Sequence, residues 1–364
     1  MRVLHGPVNV GNQPWVLSRY ERHLGIQSDV VVNYSTWFGY QVDRCLSDYA
    51  RRSARAITAR LLFGLSAPWR YHVLHYYFGR SFMTWDDYSA PMPWWFSDLK
   101  LAKLLGRKVF MTLQGCDVRL SHLSAARHAF TPCHEGHCQA VPSCRVTVDA
   151  RRQQLIDNII PQCDRVFVLN PELAHYVPGS VFLPYASVDV EALEPVWPKS
   201  QGPAVILHAP SDEGIKGSRM IIEAIERVRQ RIPIEFILVQ GIQHAQAMQL
   251  YRQADLVIDQ VLTGWYGGFA VEAMALGKPV ACYIREADLP HVPAAMRAEL
   301  PLIRLTPDTL EADLTAVLTR QAEWSQWGRQ ARAFVLRWHH PRRLAAAMVQ
   351  AYRDPQSRFH LEVT

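Results

Sequence analysis

The fold is decided by residues 254–283, which read ADLVIDQVLTGWYGGFAVEAMALGKPVACY. The apolar runs at 256–259 and 279–283 have the length and composition of buried strands, and segment 269–276 between them has a helical pattern. Gly277 and Pro279 are typical of a helix end. A strand, a helix and a second strand in this order predict parallel strands joined by a crossover helix.

The same alternation continues on both sides of this stretch. Further strands are expected at 2–5, 29–33, 71–77, 108–113, 165–169, 181–184, 204–208 and 234–240, and further helices at 15–24, 97–105, 218–229, 244–253, 307–324 and 341–353. A Pro- and Gly-containing linker is expected at 194–203. We therefore predict an α/β protein with two Rossmann-like domains and an interdomain cleft at the carboxyl ends of the strands. The expected divisions are a first domain at 1–196 with a Cys-rich insert at 116–144, a second domain at 203–338, and a C-terminal helix and tail at 339–364.

Length and composition indicate the broad class of protein. A chain of 364 residues exceeds the roughly 150 residues of one ordinary core, so two domains are expected. With 49% apolar and 20% charged residues, the composition is that of a globular protein. No apolar run approaches the roughly 18 residues of a membrane span. The first residues lead directly into a Gly-containing turn, so we expect no signal peptide and a cytoplasmic location.

The net charge of +6 suits nucleic acid, an anionic membrane surface or phosphorylated substrates. No nucleic-acid-binding motif accompanies the charge, so nucleic acid is not expected as a partner. Basic residues are densest from Arg44 to Arg60, on a helical pattern that indicates either an ordinary surface helix or a helix resting on an anionic leaflet. An aromatic region favours either packing between domains or contact with a membrane or lipid acceptor; it comprises Tyr76, Tyr77, Phe78, Phe82, Trp85, Trp94, Trp95 and Phe96.

Two glycine-containing turns in the second half are suited to binding an anion. Segment 208–217, HAPSDEGIKG, lies between a strand and a helix, so its backbone N–H groups could bind phosphate. Lys216 would add a full charge that reaches a diphosphate, although a solvated surface lysine is the ordinary alternative. Gly267 and Gly268 permit close approach of a ligand just before a helix. Glu272, one turn into that apolar helix, needs a partner, which is either a ligand hydroxyl or a structural contact.

In this order and spacing, residues 204–284 resemble the donor domain of GT4-like (glycosyl transferases group 1) retaining glycosyltransferases, which have the GT-B fold. The resemblance implies a UDP- or GDP-sugar as donor substrate, with Lys216 on the diphosphate and Glu272 on the ribose hydroxyls as catalytic residues. It implies that the backbone of Gly267, Gly268 and Phe269 faces the diphosphate and the sugar. It also implies a retaining mechanism without a catalytic metal, in which positive charge and helix dipoles stabilise the leaving diphosphate. In this fold the C-terminal helix returns to the first domain.

Parts of the first half resemble the same family. Gly11 lies in a turn similar to the loop that faces the donor diphosphate in such enzymes. Segment 111–119, MTLQGCDVR, is similar to the family's His-Gly-x-Asp-x-Arg segment, with Gln114 in the His position. Gln114, Asp117 and Arg119 are therefore expected on the acceptor side. An ion pair between Asp117 and Arg119 that only orders the loop is the alternative.

Two positions depart from the family pattern. The usual motif has a Glu at each end of a nine-residue stretch, and the first of these falls on Gly264 here. An Arg that usually precedes the diphosphate lysine is also missing. The missing Glu ordinarily touches the donor sugar, so the identity of the sugar stays open. The same departures motivate the alternative of a catalytically degenerate GT-B binding or scaffold protein.

A cysteine cluster is the other candidate site. Seven Cys, an odd number in a chain without a secretion signal, argue against a disulfide framework. Four of them lie close together in sequence with two His, and thiolates at short spacings suit a tetrahedral structural Zn²⁺. Unligated thiols or a disulfide are the alternative. The expected ligands are Cys116, Cys133, Cys138 and Cys144, one of which His134 or His137 could replace.

The predicted function is transfer of a hexosyl group from a nucleotide sugar to a glycan or lipid-linked acceptor, in polysaccharide or glycolipid biosynthesis. The expected place is the cytoplasm, with peripheral contact at the anionic inner face of the plasma membrane. Another GT-B enzyme, such as a sugar-nucleotide epimerase, is a further alternative. A Rossmann dehydrogenase is disfavoured because no G-x-G-x-x-G motif follows a strand.

Overall fold

The computed structural model describes residues 1–47, 53–84 and 94–361, and the chain forms two compact units. The first unit contains Met1–Leu120, Ser143–Val188 and Pro341–Thr364. The second contains Ser121–Pro142 and Asp189–His340. Each unit is built around one parallel sheet, so the prediction of two Rossmann-like α/β domains is confirmed.

The strands of the first sheet lie in the order β3-β2-β1-β4-β5-β6-β7, and those of the second in the order β12-β11-β10-β8-β9. Within the described residues they are β1 (Arg2–Gly6), β2 (Gln27–Val32), β3 (Arg44–Cys45), β4 (Val73–Tyr77), β5 (Lys108–Leu113), β6 (Arg165–Val168), β7 (Val181–Phe182), β8 (Ala204–His208), β9 (Ile234–Leu238), β10 (Leu256–Ile258), β11 (Val280–Cys282) and β12 (Ile303–Arg304).

Helices connect these strands. In the same residue ranges they are α1 (Gln13–His23), α2 (Ala54–Arg70), α3 (Ser97–Leu104), α4 (Ser121–Arg127), α5 (Val141–Ser143), α6 (Asp149–Gln154), α7 (Glu213–Lys216), α8 (Ser218–Val228), α9 (His244–Gln253), α10 (Gly268–Ala275), α11 (Ala294–Ala298), α12 (Leu310–Leu318), α13 (Trp324–Trp338) and α14 (Pro341–Arg353). Short 3₁₀ or π segments occur at Cys144–Val148, Leu155–Ile159, Ile160–Gln162, Pro171–His175, Glu286–His291, Pro307–Thr309 and Gln321–Glu323. No helix in the described part of the chain combines the length and the apolar character needed to cross a bilayer.

The centre of the first sheet is apolar on both faces. Strand β5, KVFMTL, is rich in β-branched and aromatic residues that favour a pleated, buried surface. Its side chains alternate, so Val109 and Met111 join one core cluster and Phe110 joins the other. Burial on both faces is typical of a parallel sheet covered by crossover helices.

Helix α14 belongs to the first unit, so the predicted return of the C-terminal helix to that domain is confirmed. Its residues Leu344 and Met348 share a core cluster with Val16 of α1. The hydroxyl of Tyr352 lies 2.7 Å from Nδ1 of the buried His75 on β4. Because that polar contact is buried, it both determines the position of α14 on the sheet and stabilises the helix in that position.

The prediction of a single helix at 307–324 is wrong. The chain instead forms a 3₁₀ turn at Pro307–Thr309, then α12, and a new helix, α13, begins at Trp324. The indole N–H of Trp324 donates to the carbonyl of Val317 at 3.1 Å, which turns the chain between the two helices. Burial of a large aromatic side chain therefore interrupts a pattern that is helical on both sides.

The basic helix predicted at Arg44–Arg60 is also shifted. Residues 44–45 form β3, residues 48–52 lie outside the described residues, and α2 begins at Ala54. Arg60 is buried and donates to the carbonyl of Thr84, so its charge does not face an external surface. Trp85 of the aromatic region likewise lies outside the described residues.

The units divide differently from the expected domains at residues 121–142, which group with the second unit. A Cβ at Gly214 would lie 2.7 Å from the carbonyl oxygen of His137, so this segment packs directly against the turn before α8. Arg285 also donates to the carbonyl of Phe130 at 2.7 Å. Backbone contacts of this kind, which no periodic pattern in the sequence reveals, attach the segment to the second unit.

Candidate functional site

The turn between β8 and α8 positions Lys216. Asp212 caps α7 by accepting a hydrogen bond from the amide of Ile215 at 2.9 Å. Gly217 ends α7 with a φ of +76°, and a Cβ there would lie 2.6 Å from the side chain of Val261. Glycine is therefore required by both conformation and space. Lys216 is the last residue of α7 and is only 8% exposed.

A buried carboxylate accepts hydrogen bonds from Lys216 and from a backbone amide. The Nζ of Lys216 lies 2.5 Å from Oδ1 of Asp259, which directly follows β10 and is fully buried. Oδ2 of Asp259 accepts a hydrogen bond from the amide of Gly267 at 2.6 Å. We call these three groups the Lys216–Asp259 cluster. An acidic residue after an apolar strand has no distinctive pattern, so the sequence alone does not indicate Asp259 as a site residue.

Gly267 keeps the space beside this cluster open. Its φ of −105° suits any residue, but a Cβ would lie 3.1 Å from Nζ of Lys216. Gly268 and Phe269 are the first two residues of α10, where amide groups lack partners within the helix. The sequence-predicted residues Lys216, Gly267, Gly268 and Phe269 are thus brought together at the N-terminus of α10, where the helix dipole favours an anion.

Glu272 has a histidine partner. It is 4% exposed, and its Oε1 lies 2.8 Å from Nε2 of His244, the first residue of α9. Burial lowers the pKa of His244, but the hydrogen bond and the charge of Glu272 outweigh burial and raise this pKa above its usual 6.5. The pair is separated by 28 residues in sequence, so no local motif could have indicated it.

His208, at the end of β8, is a neutral structural residue. Burial lowers its pKa to about 4, and the charge of Lys216 contributes in the same direction. Its ring nitrogens lie 2.8 Å from the carbonyl of Ile258 and 2.8 Å from the hydroxyl of Ser218. These contacts tie β8 to β10 and to the start of α8, which stabilises the base of the site.

At Gly264 an arginine fills the space that a side chain would need. Gly264 has a φ of +72°, and a Cβ there would lie 2.7 Å from Nη1 of Arg285. Arg285 is buried, and its guanidinium is paired with Asp288 at 2.8 Å. A side chain at position 264, such as the Glu that the resemblance leads one to expect, would therefore clash with Arg285 in its present position.

In the first unit, the loop after β5 is ordered by Asp117. Its two carboxylate oxygens accept hydrogen bonds from the amides of Gln114 at 2.9 Å and Gly115 at 2.7 Å. Burial raises the pKa of Asp117, and these backbone hydrogen bonds partly oppose the shift. Arg119 finds its carboxylate partner in Glu172, with Nε 2.7 Å from Oε1, and both side chains are buried. Glu172 lies 53 residues further along the chain, so no local pattern in the sequence indicates this pairing.

Among the buried polar atoms of the first unit that have no hydrogen-bond partner in the described structure, four lie in segments that contact one another. They belong to the turn around Gly11, to the loop after β5 and to the segment after β7. The atoms are Oδ1 of Asn12, Nε2 of Gln13, Oε1 of Gln114 and Oγ of Ser187. Other atoms of the same side chains connect these segments, since the Asn12 amide donates to the carbonyl of Ser187 at 3.2 Å. Buried polar atoms are rarely left unsatisfied, so this group suits water or a polar ligand.

The four cysteines of the expected metal site are divided between the units. Cys116 and Cys144 belong to the first unit, and Cys133 and Cys138 to the second. The thiol of Cys116 lies 3.3 Å from Nη1 of Arg119. A shared zinc ion stays a prediction.

Two parallel-stranded Rossmann-like units, with a C-terminal helix that returns to the first, define the GT-B fold. Solved structures of this class match almost the whole chain. They include sucrose-phosphate synthase from Thermosynechococcus elongatus, which is 14% identical over 97% of this chain and 98% of that chain, with a TM-score of 0.59. Anabaena HepE in complex with UDP and glucose is 11% identical over 97% and 100%, with a TM-score of 0.59.

UDP-GlcNAc 2-epimerase from Neisseria meningitidis, bound to UDP-GlcNAc, is 13% identical over 96% of this chain and 99% of that chain, with a TM-score of 0.52. Likeness at such low identity establishes the fold alone. No protein-family model matches the chain, and no curated protein matches its sequence.

Proposed function

We propose that this protein is a glycosyltransferase that moves a hexosyl group from a UDP- or GDP-sugar to a glycan or lipid-linked acceptor. The observation that carries the proposal is the Lys216–Asp259 cluster at the N-terminus of α10, with Glu272 one turn further along the helix. A cation, the amides at a helix N-terminus and a buried carboxylate together match a diphosphate and a neighbouring ribose.

Similar structures support a nucleotide sugar as the ligand. HepE was solved with UDP and glucose, and the epimerase with UDP-GlcNAc. Both share the GT-B fold over nearly the whole chain. The two proteins share the fold, but their names indicate different reactions. Their likeness to this chain therefore supports a nucleotide sugar as the ligand more strongly than it supports glycosyl transfer as the reaction.

The proposed chemistry uses residues of the second unit. The diphosphate takes the place of the Asp259 carboxylate as the acceptor for Nζ of Lys216 and the amide of Gly267. Lys216 and the helix dipole of α10 then stabilise the negative charge that develops on the leaving diphosphate, so a catalytic metal is not required. Glu272 accepts hydrogen bonds from the ribose hydroxyls in place of His244. We propose retention of the anomeric configuration, as the GT4-like resemblance implies.

The first unit would supply the acceptor side. We assign Gln114, Asp117 and Arg119 to it and place Gly11 in the loop toward the donor diphosphate. Asp117 and Arg119 are engaged within the protein, so their roles are to order the loop. Oε1 of Gln114 lacks a partner in the described structure and is suited to accept a hydrogen bond from a neutral hydroxyl. The product would be a polysaccharide or glycolipid, made in the cytoplasm at the anionic inner face of the plasma membrane.

We further propose a structural zinc ion held by Cys116, Cys133, Cys138 and Cys144. Thiolates of this number match the preference of structural zinc sites. Metal analysis of protein purified without chelators should find about one equivalent of zinc. A content below about a tenth of an equivalent would remove this part of the proposal.

A second candidate function is a sugar-nucleotide epimerase. It is favoured by the Gly264 turn, where Arg285 excludes the carboxylate that usually contacts the transferred sugar. An epimerase changes the sugar of the nucleotide without an acceptor, so product analysis of the nucleotide sugar alone separates it from a transferase. A binding or scaffold protein would bind the nucleotide sugar and leave it unchanged.

A panel of UDP-, GDP- and ADP-sugars tests the proposal in thermal-shift and turnover assays. We expect one nucleotide to stabilise the protein, with slow hydrolysis of its sugar when no acceptor is present. Free nucleoside diphosphate should appear together with the released sugar. Absence of a thermal response to every nucleotide would refute a nucleotide-sugar enzyme.

A further inference from the structure

Helix α2 presents an apolar stripe to solvent. Leu62, Leu65 and Trp69 are 63%, 47% and 63% exposed. Their spacing of three and four residues places them on one side of the helix. The opposite side is buried, where Phe63 and Ala67 belong to the core. Scattered single apolar residues on a surface need no explanation, but three in one stripe do.

The neighbouring helix α3 extends this surface. Leu104, its last residue, is 82% exposed. Just beyond it, Nε of Arg107 donates to the carbonyl of Pro68 in the last turn of α2 at 2.8 Å. The C-terminal ends of the two helices therefore lie side by side, with Trp69 on one and Leu104 on the other. We call Leu62, Leu65, Trp69 and Leu104 the α2–α3 face.

The exposed charges on these two helices have one sign. Helix α2 contains no Asp or Glu, and Arg55 and Arg70 on it are exposed. On α3, Lys100 is exposed, whereas the single acid, Asp98, is fully buried and accepts a hydrogen bond from a backbone amide at 3.0 Å. Among the described residues of both helices, the exposed charged side chains are thus all basic.

We propose that the α2–α3 face binds an anionic lipid bilayer, with its apolar side chains in the headgroup boundary and Arg55, Arg70 and Lys100 on lipid phosphates. An apolar stripe beside basic residues is the pattern of a helix lying in a membrane interface, and an exposed Trp favours that depth. A second copy of the chain fits less well, since a symmetric contact would bring the same basic residues together. The inference concerns attachment alone and does not depend on the transfer reaction.

Vesicle flotation of the full chain tests this surface. The probes are vesicles of phosphatidylcholine alone and vesicles containing about one quarter phosphatidylglycerol. We expect at least about tenfold stronger binding to the anionic vesicles, weakened by added salt. The triple variant Leu62→Ser, Leu65→Ser, Trp69→Ser should lose this binding. A matched control, Leu24→Ser, Leu123→Ser, Val146→Ser, replaces three apolar residues exposed elsewhere and should keep it.

A charge-reversal variant provides a second test of the α2–α3 face if the apolar variant folds poorly. Arg55→Glu, Arg70→Glu, Lys100→Glu should lose binding to anionic vesicles, whereas Arg219→Glu, Arg229→Glu, Arg320→Glu on the second unit should not. Equal binding of the wild type to both kinds of vesicle would overturn the proposal, as would wild-type binding by either test variant. A wild type that dimerises without lipid, with monomeric variants, would instead assign the face to self-association. The thermal response to UDP-sugars, measured on the same variants, reports separately on the proposed donor site.

Discussion

The Asp259 carboxylate occupies the place where we propose that a phosphate binds. Its two oxygens are bonded to Lys216 and to the amide of Gly267, so in the free protein both donors are already satisfied. A buried ion pair of this kind is maintained only when hydrogen bonds offset its desolvation. On this proposal, donor binding would exchange one anion for another, and its strength would depend on how readily Asp259 gives up these contacts.

The variant Asp259→Asn should bind UDP about tenfold or more tightly than the wild type, because the neutral amide competes less well with a diphosphate for Lys216. The free variant should also be less stable, since Lys216 loses its counter-charge. Isothermal titration with UDP and thermal unfolding measure the two effects. Weaker UDP binding by the variant would show that Asp259 supports donor binding, contrary to the exchange.

The His244–Glu272 pair should make the proposed donor binding depend on pH. The pKa of His244 is raised in the folded protein, so the pair stabilises the fold fully below about pH 6.5 and less as pH rises through the raised value. Protonated His244 also competes with the ribose hydroxyls that we propose as partners of Glu272. We expect affinity for an unreactive UDP-sugar analogue to increase as pH rises through this pKa. In His244→Asn the dependence should disappear, and a pH profile identical to that of the wild type would contradict this role.

At the scale of single elements, the turn at Gly264 is constrained twice. Its φ of +72° disfavours any side chain, and Arg285 occupies the space where a Cβ would lie. Gly202 is a matched case, with a φ of +86° and no atom within 4 Å of a Cβ. Alanine substitutions at the two glycines therefore distinguish the free-energy cost of the backbone conformation from the cost of steric overlap with Arg285.

Gly202→Ala should lower the free energy of unfolding by about 1 kcal/mol through its backbone conformation alone. Gly264→Ala should lower it by about 2–4 kcal/mol, because overpacking against Arg285 is added. Chemical denaturation of both variants measures the difference. Equal losses would mean that Arg285 moves aside at little cost, so that the turn could hold a carboxylate after all.

Elements with a regular apolar period were well predicted from the sequence. Strand β5 and helices α9 and α14 have the predicted bounds, because β5 is a continuous, mostly apolar run and the burial of the two helices follows the helical period. The two-residue strands β3 and β12 are too short to show a period. The helix predicted at 307–324 failed because burial of Trp324 turns the chain, and no local pattern encodes that contact.

The candidate site was predicted only in part, for a related reason. Lys216, Gly267 and Glu272 lie in turns and helix starts that have local signatures. Their partners Asp259 and His244 are reached through the fold, and each looks ordinary in its own segment. The sequence thus indicates which groups could bind a ligand, whereas the structure shows which protein groups these residues contact.

On the scale of the whole molecule, the chain passes from one unit to the other more often than the single predicted linker at 194–203 would require. Helix α14 completes the core of the first unit, while residues 121–142 belong to the second. Stability of the first unit should therefore depend on the last residues of the chain. Tyr352 is the clearest point of dependence, since it is fully buried against His75 and Phe110.

Tyr352→Ala should destabilise the first unit by about 3–5 kcal/mol, whereas Tyr352→Phe, which loses only the hydroxyl, should cost about 1–2 kcal/mol. Hydrogen exchange resolved by segment should show lost protection in β1, β4 and β5. Protection of β8 and β10 should be retained. Equal loss in both sheets would contradict a division into separately stabilised units.

Titration of the wild type, Lys216→Met and Glu272→Gln with the preferred UDP- or GDP-sugar tests the central claim most directly. We expect one binding site in the wild type and a loss of about tenfold or more in each variant, because each removes a charged hydrogen-bonding partner of the ligand. The exposed controls Arg219→Met and Glu226→Gln should bind like the wild type. Unchanged affinity in both site variants, or no binding of any nucleotide sugar to the wild type, would contradict a donor site at the N-terminus of α10.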